Sequence, residues 1–378
     1  MDQGSILTEC LSCGITREGI YLSCENCDGV PILRIRELKW RVAQNVPNIW
    51  RYSSMLPNFV RKISLGEGIT PIRKAGDVRV KLETRNPTGS YADRSSAMIS
   101  SYILSSEPGK AVRISYSRDF TYSLVSYLMG IADVEVILGD PEQVDPDEVL
   151  LLTELGANIT FNVSGGYLSY ANPLTIEGLK TITFELLERG FREGKVFVPA
   201  ETGLLALSIW KGREDLRQAG VDSNIEVVAV QLEGGQQPEI LKHIDDVRVV
   251  NVSREKALGE MIELAKAGIK TKLISAASLA ALRERKERKS IAIITAASNR
   301  PKPLGARKSK LTDEIVEVLR EIKEGTAYEV WERLGKYTLR GVYKSLVSLE
   351  RLGMVASMYK MDGKRKKKIY FLLKNESA

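Results

Sequence analysis

The chain has 378 residues, 43% of them hydrophobic and 27% charged, with a formal net charge of +7. That length exceeds one small core and points to two or three domains of ordinary globular composition. No apolar run approaches the roughly 20 residues of a membrane span, and MDQGSILTEC lacks a basic-then-apolar leader, so a cytoplasmic protein without a membrane partner is expected.

All four cysteines lie within the first 27 residues, as Cys10-x-x-Cys13 and Cys24-x-x-Cys27 separated by ten residues. Two such knuckles aim four thiolates at one point, the pattern of a zinc ribbon, here expected over residues 1–40. Four protein ligands leave no open coordination position, so the zinc is expected to be structural. Disulfides are the weaker reading for a cytoplasmic chain without further cysteines.

From about residue 78 to 300 short β-branched runs alternate with helical patterns. VRVKLE, KAVRISYS, VEVILG, NITFNV, KVFVPA, IEVVAVQL and SIAIIT read as strands. RSSAMISSYILSS, FTYSLVSYLMGI, PDEVLLLTELG, IEGLKTITFELLERG and LLALSIWKGREDLRQAG read as helices. The alternation predicts an α/β body over 41–305, a mostly parallel sheet covered on both faces, with any ligand at the carboxyl ends of the strands.

PKPLGARKSK at 301–310 reads as a linker, and residues 307–378 hold 17 Lys and Arg against 10 Asp and Glu. LTDEIVEVLREIKEG, with Thr312 as cap, predicts a first helix; TAYEVWERLG a second; TLRGVYKSLVSLERLGM, from Thr338 to Gly353, a third. VASMYKMDGKRKKKIYFLL then predicts two strands about an Asp362-Gly363 turn. Three helices and a hairpin over 306–378 look like a winged-helix domain of a transcription regulator. That resemblance implies that Arg340, Tyr343 and Lys344 face a major groove, while Val342, Leu346, Leu349 and Leu352 pack inward. The hairpin carries Lys364, Arg365, Lys366, Lys367 and Lys368, charges suited to phosphates. RNA, a ribosomal surface or a protein partner remain alternatives to DNA.

Residues 86–94, NPTGSYADR, resemble the signature of pyridoxal-phosphate enzymes of the threonine synthase type, which reads Asn-Pro-Thr-Gly-Ser, an aromatic residue, then Lys-Asp-Arg. The resemblance extends in order through WRYSSMLP at 50–57, SLGEGITPI at 64–72, NPLTIEGLKTITFEL at 172–186, LSIWKG at 207–212 and ISAASLAAL at 274–282. It implies the fold type II body, two parallel-type sheet lobes with the cofactor between them.

The same resemblance allows the cofactor site to be compared residue by residue. Ala92 stands at the Schiff-base lysine position, so the covalent step has no amine. Tyr116, Ser117, Arg118 and Asp119 replace a Ser-x-Gly-Asn turn. AETGLLA at 200–206 replaces a glycine-rich phosphate loop, with Glu201 adding negative charge where a dianion sits. Thr295 matches the residue at the pyridine nitrogen, but AASNRPKP follows it where glycines are expected. These departures predict that pyridoxal phosphate is not bound and that the chain is a pseudoenzyme, with an enzyme inactivated by an introduced change at Ala92 as the alternative. Asn86, Thr88, Gly89, Ser90 and Thr295 are expected to form a residual pocket for a small amino-acid-like ligand, and Arg118 to pair with Asp93 or Glu201. His243, the only histidine, reads as a surface residue, GEG at 66–68 as a plain glycine turn, and RERKERKS at 283–290 as a solvated helix. The body is expected to form a homodimer that spaces two DNA-binding tails.

Overall fold

A computed structural model describes residues 6–106, 110–285, 287, 289–301, 310–351, 355–363 and 365–372. Lys364, Leu352 and Gly353 of the tail, and most of the 301–310 linker, lie outside the described residues, as do the side chains of Arg365 and Lys366. Among the described residues no helix is long and apolar enough to cross a membrane.

The N-terminal unit is an antiparallel sheet of β1 (Ile6–Cys10), β2 (Thr16–Glu18) and β3 (Pro31–Ile35), in the order β2-β1-β3. It is not a free-standing module. Ile32, Leu33 and Ile35 of β3 enter the main hydrophobic core, and Gln218 Nε2 donates to the Ile35 carbonyl at 2.8 Å.

The body begins with the hairpin β4 (Ile72–Ala75) and β5 (Val78–Leu82), followed by α1 (Asp93–Ser106). A small lobe follows, made of β6 (Val112–Ser115), α2 (Phe120–Leu128), β7 (Val134–Ile137), α3 (Pro146–Glu154) and β8 (Asn158–Thr160). Its three strands are parallel, in the order β6-β7-β8. The chain returns through α4 (Pro173–Leu179), α5 (Thr181–Glu188), β9 (Glu193–Pro199), α6 (Leu204–Gln218), β10 (Asn224–Leu232), β11 (Val247–Val252), α7 (Arg254–Lys266), α8 (Leu273–Arg285) and β12 (Ser290–Ile294). The large sheet has the order β11-β10-β9-β12-β5-β4, parallel except for the edge strand β4.

The seven β-branched runs all form strands, because a parallel sheet buried on both faces needs apolar side chains at successive positions. In β10, Val227 and Ala229 enter the core shared with α4 to α6, while Val228 and Val230 enter the one under α7 and α8. The pattern differs from expectation at four places. β4 and β11 are additional strands, although VRVVNV carries a clear β-branched signal. IEGLKTITFELLERG is two helices joined at Lys180, whose ammonium is buried against Glu177 and, at 2.6 Å, Asp215. In RERKERKS, Arg283 to Arg285 are helical and Ser290 already begins β12, while Lys286 and Arg288 lie outside the described residues. The unannounced α7 is largely exposed, burying only Ala257 and Leu264, so its apolar signal is faint.

A buried ionic network ties the hairpin to α1 and α5. Arg94 bonds Glu83 at 2.7 and 2.9 Å and Glu185 at 2.5 Å, and Lys81 bonds Glu185 and Thr70 at 2.6 Å. Burial alone would push the Glu185 carboxyl up, but Arg94 and Lys81 hold it well below the usual carboxylate range. Gly178 of α4 makes room for this arrangement: a Cβ there would lie 2.4 Å from the Arg94 carbonyl oxygen. The GEG turn is likewise more than a turn. Glu67 is fully buried and accepts from Ser64 Oγ, Leu65 N at 3.0 Å and Tyr127 Oη at 2.8 Å.

The tail comprises α9 (Lys310–Ile322), β13 (Glu324–Thr326), α10 (Ala327–Leu334), α11 (Leu339–Arg351), β14 (Val355–Asp362) and β15 (Arg365–Leu372), with sheet order β13-β15-β14. Its own core contains Ile315, Leu319, Val330, Val342, Leu346, Leu349, Val355 and Tyr370. Thr338 Oγ1 accepts from Gly341 N at 3.1 Å, the capping bond expected for α11. Thr312, expected as a cap, sits in the first turn of α9, which starts earlier at Lys310. Asp362 pairs with Arg365, so the hairpin closes one residue later than the expected Asp362-Gly363 turn.

Replacing Arg94 with Met leaves two buried carboxylates facing Lys81 alone. The expected cost is about 3–5 kcal/mol in guanidinium unfolding, and a loss below about 1 kcal/mol contradicts the assigned role. Burial raises the Glu67 carboxyl to about 7, above its unfolded value. The folded state therefore holds that proton more tightly, and its contribution to stability falls as pH rises from about 4.5 to about 7. Glu67→Gln is expected to lose less stability than the parent between about pH 5 and pH 8, by up to roughly 3 kcal/mol, and equal slopes contradict this.

Candidate functional site

The four thiols converge as the spacing demands. Cys10 ends β1, Cys13 lies in the following turn, and the four Sγ atoms all fall within 4.8 Å of one another. Three of the separations are 3.5 Å (Cys10–Cys27), 3.7 Å (Cys13–Cys24) and 3.8 Å (Cys24–Cys27). These are far beyond a disulfide bond of about 2.05 Å. They match the edge of a tetrahedron, roughly 3.75 Å, that follows from metal–sulfur distances of about 2.3 Å. The cluster can therefore hold a metal ion such as zinc. Ser12, inside the first knuckle, lies 3.3 Å from Nε2 of His243, so the exposed histidine touches this unit from the body.

The carboxyl ends of β9, β10 and β12 and the loops of the small lobe enclose a cavity of about 800 Å³. Of the five expected pocket residues, Thr295 lines it, with its hydroxyl 2.6 Å from Ser275 Oγ. The other four are engaged inside the protein. Asn86 Nδ2 donates to Glu83 and its Oδ1 accepts from Gly68 N at 2.9 Å. Thr88 donates its N–H, at 2.7 Å, and its hydroxyl to Asp93. Ser90 Oγ accepts from Ala92 N at 3.2 Å. Gly89, at φ +79°, lies under Pro301, and a Cβ there would approach Pro301 Cδ to 2.8 Å. Ala92 itself is 1% exposed and belongs to the hydrophobic core.

Arg118 does not make the expected pairs. It is exposed and has no ion pair among the described residues. Asp93 is instead satisfied by Thr88 and by Ser123 Oγ at 2.6 Å, and burial raises its carboxyl to about 6. The cations that fill the inner cleft are Arg300 and Lys272. Asp119, in a left-handed conformation at φ +65° before α2, receives Lys272 Nζ and Arg300 Nη2, each at 2.7 Å. Arg300 also bonds both carboxylate oxygens of Glu148 at 2.9 Å and lies 5.2 Å over the Tyr122 ring. Asp119 and Glu148 belong to the small lobe, Lys272 and Arg300 to the large one, so this clamp joins the two across the cleft. Nothing local in the sequence announces it, since the partners are about 150 residues apart.

The positions that the resemblance assigns to pyridoxal phosphate are occupied by other contacts. Ala92 offers no amine. The Asp119 carboxylate, already bound by two cations, occupies the turn that in the resemblance holds the ring. The one glycine of AETGLLA, Gly203 at φ +79°, serves packing: a Cβ there would come within 2.7 Å of Ile240 and 2.9 Å of Leu241 and Pro238. Glu201 adds a carboxylate before α6 where a phosphate would need donors.

In the tail, Arg340 and Lys344 are exposed, as is Tyr343 at 51%, while Val342, Leu346 and Leu349 are buried. Lys367 is exposed. Lys368 is half-buried, bonded to Glu350 at 2.8 Å with its ammonium 4.8 Å over the Tyr370 ring. That ion pair binds β15 to α11 and removes Lys368 from the solvated charges of the hairpin.

No protein-family model matches the chain. Threonine synthase of Methanosarcina acetivorans is 24% identical over an alignment 264 residues long that covers 60% of this chain and 64% of that protein. Threonine synthase of Methanocaldococcus jannaschii is 25% identical over an alignment 273 residues long that covers 61% of this chain and 66% of that protein. The chain thus spans just under two thirds of the length of these curated relatives. Among solved structures, O-acetylserine dependent cystathionine beta-synthase from Helicobacter pylori superposes with a TM-score of 0.51 at 16% identity, over 61% of this chain and 94% of that one. Cysteine synthase from Entamoeba histolytica gives 0.50 at 18% identity, over 61% and 85%. A mutant O-ureido-L-serine synthase with O-ureido-L-serine bound gives 0.50 at 17% identity, over 64% and 91%. The body therefore has the α/β fold of fold type II pyridoxal-phosphate enzymes, and in sequence the chain is similar to threonine synthase.

Proposed function

We propose that this chain is a non-catalytic, threonine synthase-like protein whose C-terminal winged helix binds DNA and whose body serves as a ligand-binding module in transcriptional regulation. The observation that carries the loss of catalysis is the pairing of Ala92 with the Asp119 clamp. An enzyme disabled by one introduced change keeps the rest of its site, whereas here the turn at 116–119, the loop at 200–204 and the segment after Thr295 also depart. The DNA-binding half rests on α11, which buries Val342, Leu346 and Leu349 and presents Arg340, Tyr343 and Lys344 on the opposite side. Basic side chains beside an aromatic ring at the N-terminal half of such a helix suit base edges and flanking phosphates. Lys367 and its neighbours in the hairpin supply further charge. A homodimer through the body would place two tails on paired half-sites.

A groove beside α11 favours a second reading. Tyr328, Leu339 and Tyr343 are exposed around a cavity of about 970 Å³, a surface that suits a peptide or an RNA base as well as DNA. Competition among double-stranded DNA, RNA and protein ligands separates these outcomes.

Three outcomes test the reading. In a mobility-shift assay, Arg340→Glu with Lys344→Glu in the full chain is expected to weaken double-stranded DNA binding at least tenfold, and unchanged binding contradicts it. Ala92→Lys is expected to retain no pyridoxal phosphate after gel filtration, read by visible absorbance; a stable band restored by that single change would favour the inactivated-enzyme alternative. The cysteine cluster is proposed to carry one structural zinc per chain. Chelation or Cys13→Ser is expected to release it, by elemental analysis, and to lower the melting temperature; a metal-free, equally stable protein contradicts this.

A further inference from the structure

The cleft holds more positive charge than the clamp around Asp119 uses. Arg118, Arg254, Lys270 and Lys272 line it, against Asp119, Asp145 and Glu201. Lys272 is engaged by Asp119, which Arg300 also neutralises. Asp145 caps α3, its carboxylate accepting from Asp147 N and Glu148 N. Arg118, Arg254 and Lys270 remain, none with an ion pair or side-chain hydrogen bond among the described residues, against the carboxylates of Glu201 and the capping Asp145.

The three cations do not form the solvated stripe of one helix. Arg118 comes from the turn before α2 in the small lobe, Arg254 opens α7, and Lys270 lies in the loop before α8. Between them the wall is apolar, with Leu205, Leu232, Met261 and Ile274. Low-dielectric walls between like charges concentrate a positive potential, which an anion relieves. A volume of about 800 Å³ lies within the usual range of small-molecule sites.

We propose that this cleft binds a small organic polyanion, carrying two or more carboxylate or phosphate groups, with Arg118, Arg254 and Lys270 as its anion-binding residues. Three cations without an ion pair, against Glu201 and the capping Asp145, leave an excess of one positive charge, and donors from three separate segments can engage two anionic groups of one ligand. Apolar lining on the same walls accommodates the ligand's carbon skeleton. The proposal rests on the reading of the body as a ligand-binding module and is independent of the tail's partner.

Calorimetric titration of the full chain at low salt with pyrophosphate and, separately, with citrate tests it and distinguishes phosphate from carboxylate recognition. At least one probe is expected to bind saturably, and the double variant Arg118→Ala, Lys270→Ala to weaken it at least tenfold. Two other variants are expected to bind as the parent does: Arg73→Ala with Arg248→Ala, which removes exposed cations outside the cleft, and Lys366→Gln with Lys367→Gln, which lowers the charge of the hairpin. Absence of binding by either probe at millimolar concentration, parental affinity in the cleft variant, or loss confined to the hairpin variant overturns the proposal. Failure of DNA binding in the mobility-shift assay would leave these titrations unchanged, so the two readings fail separately.

Discussion

Everything in the body is arranged around a guanidinium that cannot reach water. Arg94 is fully buried between Glu83 and Glu185, with Lys81 closing the set. A charge so placed is tolerable only when each donor meets an acceptor, and that requirement positions four separate segments at once. Glu83 lies just after β5, Arg94 at the start of α1, Glu185 in α5, and Thr70 in the loop before β4. Asn86, bonded to Glu83, then fixes the turn leading into α1.

This network explains how the framework of the signature is held with alanine at position 92. In NPTGSYADR, Asn86, Thr88, Asp93 and Arg94 are hydrogen-bonded within the protein and would be costly to replace. Position 92 makes no such bond with its side chain. An alanine there packs into the core and leaves the scaffold intact. The motif thus contains residues held by internal hydrogen bonds and one position, 92, whose side chain makes none. In the cleft, Arg300 and Lys272 hold Asp119 between the lobes, a role played by the chain's own cations.

The strands and most helices of the body were legible because burial on both faces writes continuous β-branched runs such as IEVVAVQL. The cysteine cluster was legible for a similar reason, since two close knuckles need no distant information. Long-range partners were not. Arg300 directly precedes a proline-containing tract that reads as a linker, and its acceptors lie far earlier in the chain. Lys368 reads as one more lysine in KRKKK until the fold brings Glu350 beside it. Asn86, Thr88 and Ser90 read as a ligand turn because a loop at a helix start looks alike whether its donors face a cleft or the interior. The break at Lys180 was hidden because TITFELLE continues the helical spacing.

The proposed function makes one central claim, that a body with Ala92 at the lysine position and a basic tail with an exposed helix face recognise nucleic acid in place of catalysis. Recovery and sequencing of the nucleic acid cross-linked to the chain in its own cells tests that claim most directly. The account predicts enrichment of discrete double-stranded DNA sites that disappears when Arg340 and Lys344 are reversed in charge. Recovery of RNA alone, or of no nucleic acid above background, would contradict it.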